Sequence, residues 1–196
     1  ELNNLRIMLP MVTNLSEVEE ASYLIDQAFT ELLEEGCVIE KPKVGVMIEV
    51  PAAAYLAREI AKRVDFISVG SNDLTQYFLA VDRNNARVAG LYDAMHPAML
   101  RILLKVVEGG HAAGVEVSIC GEMASDPLAV ILLVAMGFDT LSMNSSSLPR
   151  VKWVIRNLSI ANARKILAEV LEFEHPAQIR FHLQKALEDE GLGGLI

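Results

Sequence analysis

Cysteine is nearly absent from this 196-residue chain: Cys37 and Cys120 are its only two, and they do not form a C-x-x-C pair. Neither a disulfide framework nor a structural zinc site is expected, and a reducing, cytoplasmic setting follows. No apolar run approaches the roughly 18 residues that cross a bilayer, so no membrane segment is expected. The most apolar stretch, Ala129 to Met136, is bounded by Pro127 and Gly137 and reads as a buried helix. Basic charge is also scarce. Seventeen Lys and Arg stand against 26 Asp and Glu, a net charge of −9, and no cationic cluster stands out. That argues against a nucleic-acid partner. The first residues show no cationic, apolar and small-residue zones in order, so no secretory leader is expected. Glu1-Leu2-Asn3-Asn4 opens the chain in place of Met, and a strand-like run begins by Leu5. It reads as a piece of something longer.

What is present is a hydrophobic fraction of 52%, enough for one well-filled core. The pattern is strand then helix, repeated, which predicts a parallel sheet with covering helices. Leu5 to Pro10 is a short apolar strand. Ser16-Glu17-Val18-Glu19 has the form of a capping box, and the helix it opens should stop at Gly36. Val44 to Val50 is the second strand, apolar enough to be covered on both faces. Pro51 fits a first helical turn, and Ala52 to Lys62 carries that helix. Val64 to Val69 is the third strand, followed by the loop Gly70-Ser71-Asn72-Asp73 and a short helix through Leu79. A helix from Pro97, a strand over Val115–Cys120, a helix over Pro127–Met136 and a strand over Phe138–Met143 follow. Three further helices are expected, over 148–158, 161–173 and 176–190. Five such units fit a doubly wound sheet or part of a (β/α)8 barrel about equally by pattern alone. The missing amino-terminal start favours an incomplete barrel, its last units followed by extra helices, as one domain over 1–196.

The polar residues that need explaining lie at the carboxyl ends of predicted strands or just beyond: Glu49, Asn72, Asp73, Arg83, Cys120, Glu122, Ser142 and Asn144. Parallel α/β folds build their sites on that face. Lys41, Lys43, Glu108 and His111 fall on the opposite loops and read as solvated surface. Glu49 and Asp73, projecting from adjacent strand ends, would repel each other without a cation between them. Mg²⁺ takes one or two protein carboxylates with water and phosphate oxygens. The alternative for Asp73 is a helix cap before Leu74; for Glu49, between Ile48 and Val50, a purely structural role is less natural. Arg83 offers a planar fork for carboxylate or phosphate, although a loop arginine is commonly just surface. Gly70 and Gly121 would let backbone amides approach an anion. Cys120 ends an apolar strand with its sulfur at the mouth. A thiol of ordinary pKa, about 8.5, is largely protonated at neutral pH and can donate a proton. Cys37 lacks such a context and reads as structural. His96, His111, His175 and His182 show no ligand spacing and should have structural roles, with a place at the border of the site as the alternative for His96, before Pro97.

Gly45-Val46-Met47-Ile48-Glu49-Val50-Pro51-Ala52-Ala53, Gly70 to Tyr77 with Ala80-Val81-Asp82-Arg83, and Cys120-Gly121-Glu122-Met123-Ala124 resemble, in this order, the signatures of phosphoenolpyruvate–protein phosphotransferases, the enzyme I family. Leu5 to Met11 resembles that family's strand ending in a Pro-Met step. Met143-Asn144 and Val151-Lys152-Trp153 lean toward its nitrogen-type branch. The resemblance implies a (β/α)8 barrel that binds phosphoenolpyruvate and Mg²⁺. The phosphoryl group would pass to a histidine of a separate domain, then to a histidine phosphocarrier protein, with release of pyruvate. It also implies a homodimer, metal ligation by Glu49 and Asp73, substrate contacts from Asn72, Asp73 and Arg83, and proton donation by Cys120. The family's phosphate-clamping arginines and phospho-accepting histidine have no match here, so these residues alone should not support transfer. A pyruvate,phosphate dikinase or phosphoenolpyruvate synthase barrel, a pyruvate-forming aldolase or lyase, and a non-catalytic dimerisation or sensory module remain as alternatives.

Overall fold

The computed structural model describes residues 4–195; Glu1–Asn3 and Ile196 lie outside them. Among the described residues the strands are β1 (Arg6–Leu9), β2 (Lys43–Ile48), β3 (Phe66–Gly70), β4 (Glu116–Cys120) and β5 (Thr140–Leu141). All pair in parallel, in sequence order from β1 to β5. The connections run through α1 (Leu15–Glu34), α2 (Pro51–Tyr55) with α3 (Ala57–Ala61), α4 (Ser71–Leu79) with α5 (Pro97–Ala112), and α6 (Pro127–Met136). A doubly wound sheet reverses direction at a switch point; this one does not. The crossover helices α1, α3, α5 and α6 pack in succession against one another, as helices on a single face do. Consecutive (β/α) units of a barrel have this arrangement.

The sheet therefore has two unlike faces, set by the two-residue period of a strand. Toward the helices point Val46, Ile48, Ile67, Val69, Val117 and Ile119, each fully buried. Burial of such side chains stabilises by roughly 1.5–3 kcal/mol apiece. The other face carries Gly45, Met47, Phe66, Ser68, Glu116 and Ser118, in register across the strands. At its amino-terminal end Arg6 stacks 5.2 Å from the Phe66 ring centre and pairs with Glu116 at 3.2 Å. At its carboxyl end this face becomes the site.

Three helices complete the chain: α7 (Leu148–Asn157), α8 (Ile160–Val170) and α9 (Pro176–Asp189). All pack on α6. That explains why α6 is apolar around its whole circumference: a helix covered on every side has no polar face to show.

Local details correct several expectations. The first capping box forms around Asn14 rather than Ser16; Asn14 accepts from the Glu17 amide, and Glu17 reaches back to the Asn14 amide at 3.0 Å. Ser16 spends its hydroxyl on Asn14 instead. The Ala52–Lys62 helix is interrupted at Leu56, where α3 presses so closely on α5 that a Cβ on Gly109 would lie 3.0 Å from the Arg58 nitrogen. Strand five is two residues long. Helix α1 does end as foreseen, with Gly36 taking φ +86° just past it. Cys37, expected to be structural, is exposed; Gly36 turns the chain outward beyond the helix end.

Candidate active site

Register alone aligns the first three positions. Ile48 lies opposite Val69, and Gly70 opposite Cys120, so Glu49, Gly70 and Cys120 form one row across the strand ends. Glu49 is 5% exposed. Its Oε1 accepts from the Met11 amide at 2.8 Å, so a structural bond exists alongside any other use. Met11 takes φ +54°, a left-handed conformation rare outside glycine and maintained only where the surroundings over-determine it. Oε2 lies over Gly70, where an added Cβ would come within 2.9 Å of it. A side chain at position 70 would push the carboxylate out of place.

The next polar residues come as one helical turn. Ser71, Asn72 and Asp73 open α4 directly from β3, with Gly70 as N-cap and no side-chain cap. Asn72 and Asp73 are therefore helical rather than loop residues, and Asp73 does not cap. Ser71 Oγ donates to the Cys120 carbonyl at 2.7 Å, and Asn72 Oδ1 accepts from the Glu122 amide at 3.0 Å. Between them sits Gly121, with φ +101° and ψ −175°, a region essentially restricted to glycine. A Cβ there would lie 2.3 Å from Ser71 Oγ and 2.9 Å from Asn72 Oδ1. Gly70 and Gly121 thus make room for the site's own side chains. Asp73 Oδ1 meets Arg83 Nη2 at 3.2 Å, both side chains about one-third exposed (37% and 36%).

Electrostatics ties the row together. Burial raises the Cys120 thiol above its ordinary pKa, and the negative charges of Glu49 and then Asp73 raise it further, against a hydrogen bond from Ser68 that lowers it. Both carboxylates thus act on the same sulfur, which stays protonated at neutral pH. The hollow beside them has a volume of 410 Å³ and is bordered by Asn72, Glu122, Ser142 and Asn144. Larger hollows of 720 Å³ beside β1 and 500 Å³ near Lys43 and Lys62 lie elsewhere, so size does not mark the chemistry. Among the described residues no three His, Cys, Asp or Glu side chains gather as a metal cluster. Glu49 and Asp73 offer two carboxylates, each with one oxygen outside the bonds described above. That all-oxygen set fits Mg²⁺, which keeps water and phosphate in its remaining positions.

The histidines are structural, as expected. His96 Nδ1 accepts from the Ala98 amide, His111 meets Asp139 at 3.0 Å, the His175 amide donates to Gln178 Oε1 at 3.2 Å at the start of α9, and His182 meets Glu169 at 2.9 Å. Sequence reasoning missed Met11, Ser68, Ser71 and Tyr92. Tyr92 donates to the Asn72 carbonyl at 3.2 Å. No helix of the described residues is long and apolar enough to cross a membrane.

A parallel sheet with helices on one face and polar groups at its carboxyl rim defines a barrel-type α/β protein, and comparison with known proteins agrees. A citrate lyase from Burkholderia xenovorans LB400 superposes with a TM-score of 0.55 over 95% of this chain and 64% of its own, at 17% identity, which bears on the fold alone. The family model of the PEP-utilising enzyme, PEP-binding domain, matches residues 1–160. The chain belongs to that family. Curated relatives include the phosphoenolpyruvate-dependent phosphotransferase system protein of Escherichia coli K12, 47% identical over 98% of this chain and 26% of its own length. The phosphoenolpyruvate-protein phosphotransferases of Haemophilus influenzae and Borreliella burgdorferi are 40% and 37% identical over 96% and 94% of this chain, and 33% and 32% of theirs. The chain thus spans between a quarter and a third of these relatives.

Proposed function

We propose that this chain is the phosphoenolpyruvate-binding, proton-donating part of a phosphoenolpyruvate–protein phosphotransferase, with residues 1–196 as a portion of its barrel domain. The observation that carries the reading is the row that Glu49, Gly70 and Cys120 form across the strand ends, with Asp73 on the helical turn that leaves Gly70. The names of the relatives support it over a dikinase or synthase, since they are phosphotransferases. Exposed Tyr23, Leu24, Val38 and Phe181 are consistent with the homodimer assigned in the same reading.

Glu49 and Asp73 would hold Mg²⁺, which supplies neutralisation of the phosphate and of charge developing on the enolate oxygen. Arg83, with its planar fork, binds the phosphate or carboxylate, and Asn72 fixes the substrate beside it. In the transfer, the bond between phosphorus and the enol oxygen breaks and the phosphoryl group passes to a histidine of a separate domain. The enolate left behind takes the Cys120 proton at its terminal carbon, giving the methyl group of pyruvate. The thiolate then recovers a proton from solvent. Burial keeps that proton in place until the enolate forms. The receiving partner is a histidine phosphocarrier protein, and the setting is cytoplasmic.

Titration calorimetry with phosphoenolpyruvate tests the binding part. Heat of binding should depend on Mg²⁺, and Glu49→Gln or Asp73→Asn should weaken it by at least about tenfold. Binding that is indifferent to both metal and substitutions would refute the assignment. Without an acceptor histidine domain, the chain with phosphoenolpyruvate, Mg²⁺ and a phosphocarrier should release no pyruvate.

A further inference from the structure

The segment 82–95 leaves α4, crosses the rim and returns to α5, and its outer part, 82–87, is exposed. Some of its bonds are purely local: Asp82 accepts from the Asn84 amide at 2.9 Å, and Asn85 from the Arg87 amide at 3.1 Å. Three others return to α4, the helix it has just left. The Arg83 amide donates to Gln76 Oε1, Arg83 Nη2 to Asp73 Oδ1, and the Tyr92 hydroxyl to the Asn72 carbonyl, each at 3.2 Å. Bonds to its own helix still let the segment and the first turn of α4 shift together. An outside anchor is needed to fix them both.

Among the described residues, one side-chain bond of the segment reaches an element other than α4. Arg180 of α9 donates to Asp93 Oδ1 at 2.5 Å, and the same oxygen accepts the Met95 amide at 2.9 Å. Helix α9 does not depend on this bond for its place. Ile179, Leu183 and Leu187, spaced four residues apart, are fully buried and seat it against α6. Arg180 follows Ile179, so its stem leaves α9 at a point that packing already fixes. Asp93 in turn follows Tyr92, the residue that grips Asn72. Two non-covalent links therefore join α9 to the site, Arg180 to Asp93 and Tyr92 to Asn72, and Asp73 is the next residue on that same helical turn.

We propose that Arg180 is a positioning residue for substrate binding: by holding Asp93 against α9 it seats Tyr92 on the Asn72 carbonyl, and so fixes the first turn of α4, with Asn72 and Asp73, to the frame of the protein. This rests on the reading of Asn72 as a substrate contact and of Asp73 as a metal ligand. A turn fixed in advance loses less conformational freedom when it binds. The competing view is an ordinary surface ion pair that adds nothing measurable to the docking of α9.

Arg180→Met keeps the apolar stem and removes the charged fork, whereas Arg180→Lys keeps a charge that can still meet Asp93. Calorimetry with phosphoenolpyruvate and Mg²⁺ should show affinity reduced about fivefold by Arg180→Met and largely kept by Arg180→Lys. Tyr92→Phe should cost about as much, and the double variant no more than either alone, because both break one path. Unchanged affinity in Arg180→Met, or losses that add, would overturn the proposal. A second measurement needs no ligand. In hydrogen exchange followed by mass spectrometry, the amides of 88–95 should exchange about fivefold faster in Arg180→Met while those of α9 keep their rate. Unchanged exchange over 88–95 would overturn the proposal, and so would equal acceleration over α9, which would mean that the substitution unseats the helix. If the native chain binds no phosphoenolpyruvate, the functional reading above fails, and the exchange alone decides whether Arg180 seats the segment.

Discussion

Replacing Gly121 by alanine should damage this protein far more than the same change at Gly114, although both glycines have positive φ. At Gly114, φ is +79° and an added Cβ would meet nothing within 4 Å. The cost there is left-handed backbone strain alone, about 1–2 kcal/mol. At Gly121 the backbone angles of +101° and −175° lie where only glycine is comfortable, a penalty of about 1–3 kcal/mol. The new methyl would also stand 2.3 Å from Ser71 Oγ and 2.9 Å from Asn72 Oδ1. Both atoms are committed, Ser71 to the Cys120 carbonyl and Asn72 to the Glu122 amide. Displacing them forfeits about 1 kcal/mol for each bond. The total is about 3–5 kcal/mol, which for a chain of this size lowers the melting midpoint on the order of 10 °C. Urea unfolding of Gly121→Ala, Gly114→Ala and the native chain measures it. Adding Ser71→Ala to Gly121→Ala should recover part of the loss, because the crowded atom is removed. Equal stability of the two glycine variants would refute the crowding argument, and full additivity with Ser71→Ala would place the strain elsewhere.

Other outcomes follow from the same structure. With Cys37→Ser to isolate the site thiol, alkylation of Cys120 by iodoacetamide should rise only at pH above that of a free thiol. Glu49→Gln should shift that rise to lower pH by removing a charge that disfavours thiolate; a shift upward would contradict the arrangement. The sign for stability is the same: the raised folded pKa stabilises the protein below the ordinary thiol pKa, and the contribution is lost as pH climbs through the folded value. Asp139 is pushed up by burial but pulled down more strongly by the Val117 amide and by His111, so it ends below its usual pKa. Its contribution is present above the ordinary aspartate pKa and fades as pH falls through the lowered value. Asp139→Ala should cost about 1–2 kcal/mol at neutral pH in denaturant unfolding, with the loss shrinking in acid. A double-mutant cycle on Asp93 and Arg180, an exposed pair joining α9 to the rim segment, should return a coupling of about 1 kcal/mol or less.

The sequence disclosed those features whose causes are local. An apolar run between turn signals made β2 and β3 visible; Pro51 and Gly36 marked helix ends because proline and glycine act through their own backbone. Position at a strand end was enough to single out Glu49, Asp73 and Cys120. What stayed hidden depends on partners far along the chain. Asn72 and the Glu122 amide are 50 residues apart, and Met11 meets Glu49 across 38. Ser16 and Asn14 both satisfy the capping-box pattern, and only the backbone path decides for Asn14. Gly70-Ser71-Asn72-Asp73 has the composition of a loop and predicts a later start for α4; the sheet register and the Ser71 bond to Cys120 carry it straight into a helix. Tyr92, an aromatic within a polar segment, gave no signal at all.

Three successive residues of α4 are committed to separate tasks yet share one rigid backbone turn: Ser71 locks the neighbouring strand, Asn72 grips the following connection, and Asp73 faces the rim. None can be retuned by shifting the turn without disturbing the other two. Variation in what such a protein accepts should accumulate instead in the more exposed crossing that bears Arg83, where a neighbour can change without unsettling the frame.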